Sequence, residues 1–272
     1  MAKKVKQEVA LVEPEAPVDI PTGALEITDD IEQDLVKYEG AGTSTKAEDN
    51  LIPIVNLLQD LSPQVKDRNP EYVEGAKPGD FYIKGLNLLI PGEDGFKFQP
   101  CAFRTAVNEW VPRDDGGGFV ASYEEMPEDA VQTVNDKGKK ITKSPRGTDY
   151  IDTRYHSGFL EYQDIRIPAV LSFSSTGHTV SRGWMVLLNN TIVEVKGIRR
   201  KAPSWFKKYK IKSKIKQKKN QEWFMCDIVP AEFVQSRDQR EEGKTLYEAF
   251  EVGDKTIDHS TAESTKDEDA PF

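Results

Sequence analysis

Lysine stands at positions 208, 210, 212, 214, 216 and 218, with Tyr209, Ile211, Ser213, Ile215 and Gln217 between them. No other feature of the chain limits its fold so narrowly. A strand turns successive side chains to opposite faces, so the alternation gathers six ammonium groups on one side. Tyr209, Ile211 and Ile215 are left for the core. A helix would scatter the same lysines around its circumference. On a strand they recur every ~6.6 Å, from a rise of about 3.3 Å per residue. That distance is close to the phosphate spacing of an extended nucleic acid strand. One or two lysines protect an edge strand from aggregation, so the whole row of six asks for another reason. Phosphate binding supplies it, because each neutralised phosphate releases counterions and adds to affinity.

Net charge alone argues against such a partner, since the chain carries −9 from 37 basic and 46 acidic residues. The distribution argues the other way. Residues 196–219 contain twelve Lys or Arg and no acid, leaving −21 for the rest of the chain. A localised footprint of this kind, more than the total, decides whether phosphate is attracted. Arg199, Arg200, Lys201, Lys207 and Lys219 join Lys208, Lys210, Lys212, Lys214, Lys216 and Lys218 as candidate DNA contacts. Aromatic residues flank them: Trp205, Phe206 and Tyr209 before the row, Trp223 and Phe224 after it. Single-strand binders pair a basic groove with rings on which bases stack, at about 1–3 kcal/mol per base. Trp205 and Trp223 are the stacking candidates, while Phe103 and Trp110 read as core.

The remaining pattern predicts a mainly β protein with few helices. Residues 1–50 read as a disordered, acidic leader with a short helix near Ile31–Tyr38 and a linker-like Gly40–Thr45. Residues 51–58 form an apolar segment suited to docking on the body. Strand signals cover Asp80–Ile90, Phe96–Val111, Phe119–Tyr123, Tyr150–Tyr162 and Ile165–Phe173, with a polar insertion near 124–148. Val180, Trp184, Leu187 and Leu188 then recur at helical spacing behind Ser174, Ser175 and Thr176, each able to cap. Two long strands follow, Trp205–Lys218 and Gln221–Phe233, turning at Lys219-Asn220. A helix between the third and fourth strands is the order of an OB-fold-like Greek-key barrel. Residues 51–250 are assigned to that nucleic-acid-binding domain, with a short helix at Thr245–Phe250, and 251–272 to an acidic disordered tail.

Chemistry is harder to find. Asp114-Asp115-Gly116-Gly117-Gly118 lacks the Gly-Lys-Ser/Thr of a phosphate loop and reads as a turn. Glu124-Glu125 and the pair Asp149 and Asp152 are the acids nearest to a magnesium site, in a chain where surface acids are plentiful. His156 and His178 have no near partner for base work, and the serines 172, 174 and 175 lie in no nucleophile elbow. Cys101 and Cys226, with three scattered histidines, make no zinc pattern and read as buried thiols in a reducing cytoplasm. No apolar run approaches the roughly 20 residues that span a bilayer. The expectation is a non-enzymatic protein with no cofactor, no metal and no membrane partner.

The last six residues, Asp267-Glu268-Asp269-Ala270-Pro271-Phe272, suit a tethered ligand better than a packed core. Carboxylates steer toward a basic partner, Pro271 limits backbone freedom and Phe272 presents a ring. This stretch resembles the acidic tip of the bacterial single-stranded DNA-binding protein, with Ala270 in place of a larger aliphatic residue. Phage proteins with that role also tend to close an acidic tail with phenylalanine. The resemblance implies that Asp267, Glu268, Asp269, Pro271 and Phe272 dock into replication or repair proteins. With the lysine row it points to a phage-encoded protein that binds and protects single-stranded DNA in the bacterial host cytoplasm during replication, recombination and repair. The long leader and the missing Gly- and Gln-rich linker keep oligomeric state from being carried over. Two alternatives stay open: an interaction or virion-associated protein whose basic strand meets an acidic partner or duplex DNA, and a metal-dependent nuclease.

Overall fold

A computed structural model describes residues 28–38, 51–112, 115–134, 138, 140–218, 221–252 and 256–259. Arg113, Asp114, Lys219, the Gly40–Thr45 linker and the tip at 267–272 lie outside them. The chain divides into two units, residues 1–44 and 45–272. The first contains helix α1 (Asp29–Lys37), which opens with Asp29, Asp30 and Glu32 and closes with Lys37, the polarity the helix dipole favours.

The second unit is mainly β. In chain order it runs β1 (Leu51–Leu57), β2 (Phe81–Ile83), β3 (Leu88–Ile90), β4 (Phe96–Trp110), β5 (Phe119–Tyr123), β6 (Val131–Val134), β7 (Lys140–Lys143), β8 (Asp149–Tyr162) and β9 (Ile165–Ser174). Helix α2 (Gly177–Asn189) follows, then β10 (Ile192–Val195), β11 (Ile198–Lys201), β12 (Lys207–Lys218), β13 (Gln221–Phe233), α3 (Arg237–Glu251) and β14 (Thr256–Asp258).

The main sheet has the order β13-β12-β4-β8-β9-β1-β2-β3 and curls into an OB-like half-barrel. Its logic is that of the OB barrel: an antiparallel meander β4-β8-β9, a helix, and a hairpin whose first strand returns beside β4. The seam departs from the simple pattern. β1 lies there, parallel to β9 through Ile54 opposite Val170 and Val55 opposite Leu171. Toward β13 the gap is bridged by one side chain: Gln59 Nε2 donates to Phe224 O at 3.1 Å, and Phe224 N donates to Gln59 Oε1 at 2.9 Å. The amide of Gln59 thus acts as a one-residue strand.

Two apolar clusters hold the curl. The inner one gathers Phe81, Phe96, Phe98, Leu160, Leu171, Trp184, Tyr209 and Ile211, with Trp184 of α2 edge-on to Phe98 at 5.8 Å and to Tyr209 at 5.6 Å. The outer one lies under α3 and joins Ile52, Ile54, Cys101, Tyr155, Leu246 and Ile257. His156 is fully buried, stacked on Trp184 at 4.3 Å, with Nε2 at 2.9 Å from Ser181 Oγ. Burial lowers its pKa to about 3, so the ring is neutral.

Several expectations need correcting. The apolar segment at 51–58 is a sheet strand, β1, rather than a docked extension. The polar insertion carries the β6–β7 hairpin, and β7 pairs with β8 through Thr142 opposite Tyr150. The short helix at 245–250 is the end of a longer α3, whose start is capped by Ser236 accepting from Gln239 N at 3.3 Å. The supposed tail contributes β14, parallel to β1, and its Ile257 is buried in the outer cluster. Phe103, expected in the core, is 38% exposed and leans on His156 at 4.9 Å. Trp110 is buried as expected.

Candidate nucleic-acid interface

The lysine row is a strand, as its period requires, and β13 lies antiparallel to it along nearly its whole length. Contact with the other neighbour is brief. β12 pairs with β4 only at Tyr209, Ile211 and the residue between them. Ser213 N then donates to Gly92 O at 3.0 Å, and beyond it no strand borders β12 on that side among the described residues. The distal part of the β12–β13 hairpin is therefore an arm whose β12 edge is free, while its β13 side stays tied to the body where Phe224 bonds Gln59. Gly95, at φ +58°, fixes the point of departure, because a Cβ there would collide with the carbonyl of Ile211.

This geometry splits the row of cations. Lys208 is buried, and its Nζ lies 2.7 Å from Glu161. A register shift between Lys207 and Tyr209 accompanies its turn into the body. Lys210 is half-buried, and burial, followed by the charge of Lys212, lowers its pKa below the ordinary lysine value. Lys212, Lys214, Lys216 and Lys218 are exposed. Of these, Lys214 is paired with Asp227 on the facing strand. Near the base, Lys97 pairs with Glu232 at 2.7 Å, a bond that raises the Lys97 pKa and lowers that of Glu232. Acids thus compensate the base of the row and leave most of its outer part open. The expectation that all six lysines line one open track is corrected to four.

The opposite face is corrected too. Ile215 is 59% exposed, because β12 has lost its β4 neighbour before position 215.

Register decides which aromatic shares the lysine face. Residues directly opposite in an antiparallel pair lie on the same side of the sheet. Lys216 faces Trp223 and Lys214 faces Met225, whereas Ile215 faces Phe224. Trp223 therefore belongs to the cationic side, half-buried: its ring lines a cavity with Phe173, Thr176 and Val180, and its indole nitrogen is buried and meets no acceptor among the described residues. Trp205 does not. It sits in a short 3-10 turn, Ser204–Phe206, and packs beneath α3 with its ring 5.2 Å from Tyr247. Its Cβ fills the space above Gly243. That packing withdraws Trp205 from the role of an open stacking platform.

Arg199, Arg200 and Lys201 are exposed but lie on a separate two-stranded hairpin, β10–β11. Lys207 stands at the foot of β12 with Nζ 5.1 Å from the centre of the Phe233 ring. The sequence reading misses this second hairpin, although Lys196-Gly197, between the β-branched run Ile192–Val195 and Ile198, is its turn.

Among the described residues no group of three or more His, Cys, Asp or Glu is placed to hold a metal ion. Cys101 and Cys226 are buried and unpaired, and burial pushes the Cys226 thiol up to about 12. Among the same residues no helix is long and apolar enough to cross a membrane.

Fold and site together define a class, an OB-like β-barrel protein carrying a cationic two-stranded arm. The chain belongs to the Pam3 phage gp34-like protein family, whose model matches residues 28–256. No curated protein and no solved structure matches it.

Proposed function

We propose that this protein binds and covers single-stranded DNA without catalysis, in the cytoplasm of an infected bacterium, during phage replication, recombination and repair. The observation that carries this reading is the outer half of β12, where four exposed lysines share a face with Trp223. The lysines follow the backbone while the indole offers a flat, sequence-tolerant surface to a base. An arm open on one edge suits a single strand, whose bases are free to stack, better than a duplex whose bases face inward.

The acidic residues 267–272 complete the proposal. They recruit replication or repair proteins to the coated strand and, with no DNA present, compete for the same lysines. Thirteen residues follow His259, so at up to about 3.6 Å each the tip reaches no further than about 47 Å from it. The exposed Ile215 favours a second reading, in which the arm meets a protein partner through its apolar side.

Fluorescence anisotropy of labelled oligonucleotides tests the proposal, using single-stranded DNA, duplex DNA and RNA over a salt series. Tighter binding to single strands, weakening steeply with salt, is the expected result. Equal or tighter binding to duplex overturns it, as does the absence of nucleic acid binding.

A further inference from the structure

The β10–β11 hairpin is unlike the rest of the fold. It is a two-stranded sheet of its own, with no third strand among the described residues and no place in the barrel. Its turn, Lys196-Gly197, has φ of +52° and +77°, the two-residue geometry that matches strand twist and makes a tight, rigid tip. Its foot is clamped: Ala202 N donates to Thr191 O at 2.9 Å, both residues are buried, and Lys201 Nζ lies 2.6 Å from Asn189 Oδ1. A fixed foot and a free tip make a protruding finger about 13 Å long, for four residues at about 3.3 Å each.

The end of this finger is apolar. Val195 and Ile198 are paired directly across the turn and are 48% and 56% exposed. Both are β-branched, so their side chains are stiff and lose little freedom when covered. By the pairing, Val193 and Arg200 share their face and Lys196 stands in the turn, while Arg199 lies on the other face opposite Glu194, the one acid of the hairpin. Such a surface discourages an acid-free or basic protein partner and fits a polyanion that also offers apolar faces. A nucleic acid at the point where its strands part has both, phosphates outside and unstacked base faces within. Aliphatic side chains entering base steps from a cationic arm are an established way to unstack a duplex.

We propose that the β10–β11 hairpin is a wedge for the junction between duplex and single-stranded DNA, with Val195 and Ile198 covering the last base pair. Arg200, on the same face, and Lys196, in the turn, hold the adjacent phosphates. The parted strand then passes to the lysines of β12, so the inference rests on the single-strand reading above. The wedge adds to that reading an active opening of the duplex end, driven by binding alone.

The test uses the full chain and a forked duplex bearing a fluorophore and a quencher on opposite strands, without nucleotide triphosphate. The native protein opens the fork, and the V195S/I198S double variant opens it at least tenfold more slowly. Affinity for labelled oligo-dT stays within twofold, and far-UV circular dichroism is unchanged. The milder Ile198→Thr variant gives the same split should the double variant fail to fold. The wedge is overturned by a native protein that binds single strands but leaves the fork closed, by a double variant that opens it at the native rate, or by equal losses of opening and oligo-dT affinity. A shift of the double variant to a smaller species in sedimentation also overturns it, since the tip would then join two copies. A native protein that does not bind oligo-dT overturns the underlying reading, and this is measured first.

Discussion

Replacing Lys212, Lys214, Lys216 and Lys218 together by glutamine removes the open part of the cationic row while keeping side-chain length. All four are exposed and lie beyond the last pairing of β12 with β4, so the barrel is untouched. On single strands each phosphate contact contributes about 0.7 to the slope of log affinity against log salt, so four contacts contribute about 3. Lys214 is partly engaged by Asp227, which lowers the expected change toward about 2. Across a fourfold rise in salt the native protein then loses about 20- to 50-fold in affinity that the variant does not lose. Anisotropy of labelled oligo-dT between 50 and 200 mM salt, at roughly the ionic strengths where this linkage is linear, reads the slope directly. Lys208→Gln is the control. Its ammonium is buried against Glu161, so the slope should not change, while stability falls by about 1–3 kcal/mol as the carboxylate loses a partner. A quadruple variant with the native slope refutes the reasoning, and so does a Lys208→Gln slope that flattens equally.

Removing Asp267–Phe272 should raise affinity for oligo-dT severalfold at low salt, with the gain fading as screening shortens the reach of the carboxylates; unchanged or weaker binding counts against competition by the tail. Gly95→Ala should lower the unfolding midpoint markedly, since a Cβ meets the Ile211 carbonyl at a positive φ, and urea denaturation measures it. Acid should destabilise the fold. His156 is held near 3 and His259 near 4, both by burial, against an ordinary value of 6.5. The unfolded chain takes up those protons first, so their contribution is complete above 6.5 and is lost as pH falls through that value toward 4 and 3. His156 alone accounts for about 1.4 kcal/mol per pH unit within that window, and His156→Gln should flatten the dependence by that amount in urea titrations at several pH values.

The strand at 207–218 is legible in the sequence because alternation has one structural solution, and Gln221–Phe233 because a turn pair and a second apolar run follow it. Helix α2 is legible from Trp184 and Leu188 on one stripe. Periodicity does not say, however, whether a strand stays inside a barrel along its whole length. Nothing in Ile215 distinguishes it from Ile211; only the point at which β4 ends its pairing does, and that depends on residues more than a hundred positions earlier. Lys208 misleads for a similar reason, since its partner Glu161 is remote in sequence. Trp205 is adjacent to the charge in the chain, but α3 covers it, a packing no local pattern announces. β14 is three residues long, too short for its period to register, and only its pairing with β1 makes it a strand.

The position of β1 has a consequence for how the molecule is made. Ile54 finds its partner in Val170, and Leu51 finds its own only in Thr256. Both alignments are parallel and distant, the slowest kind of pairing to establish. As a ribosome releases the chain, the end of β1 can pair early with β2, Asn56 opposite Tyr82, while its parallel edges wait for β9 and β14. Strand β1 is thus secured in stages, and a chain cut short before residue 256 leaves the Leu51–Pro53 edge of β1 without its β14 partner.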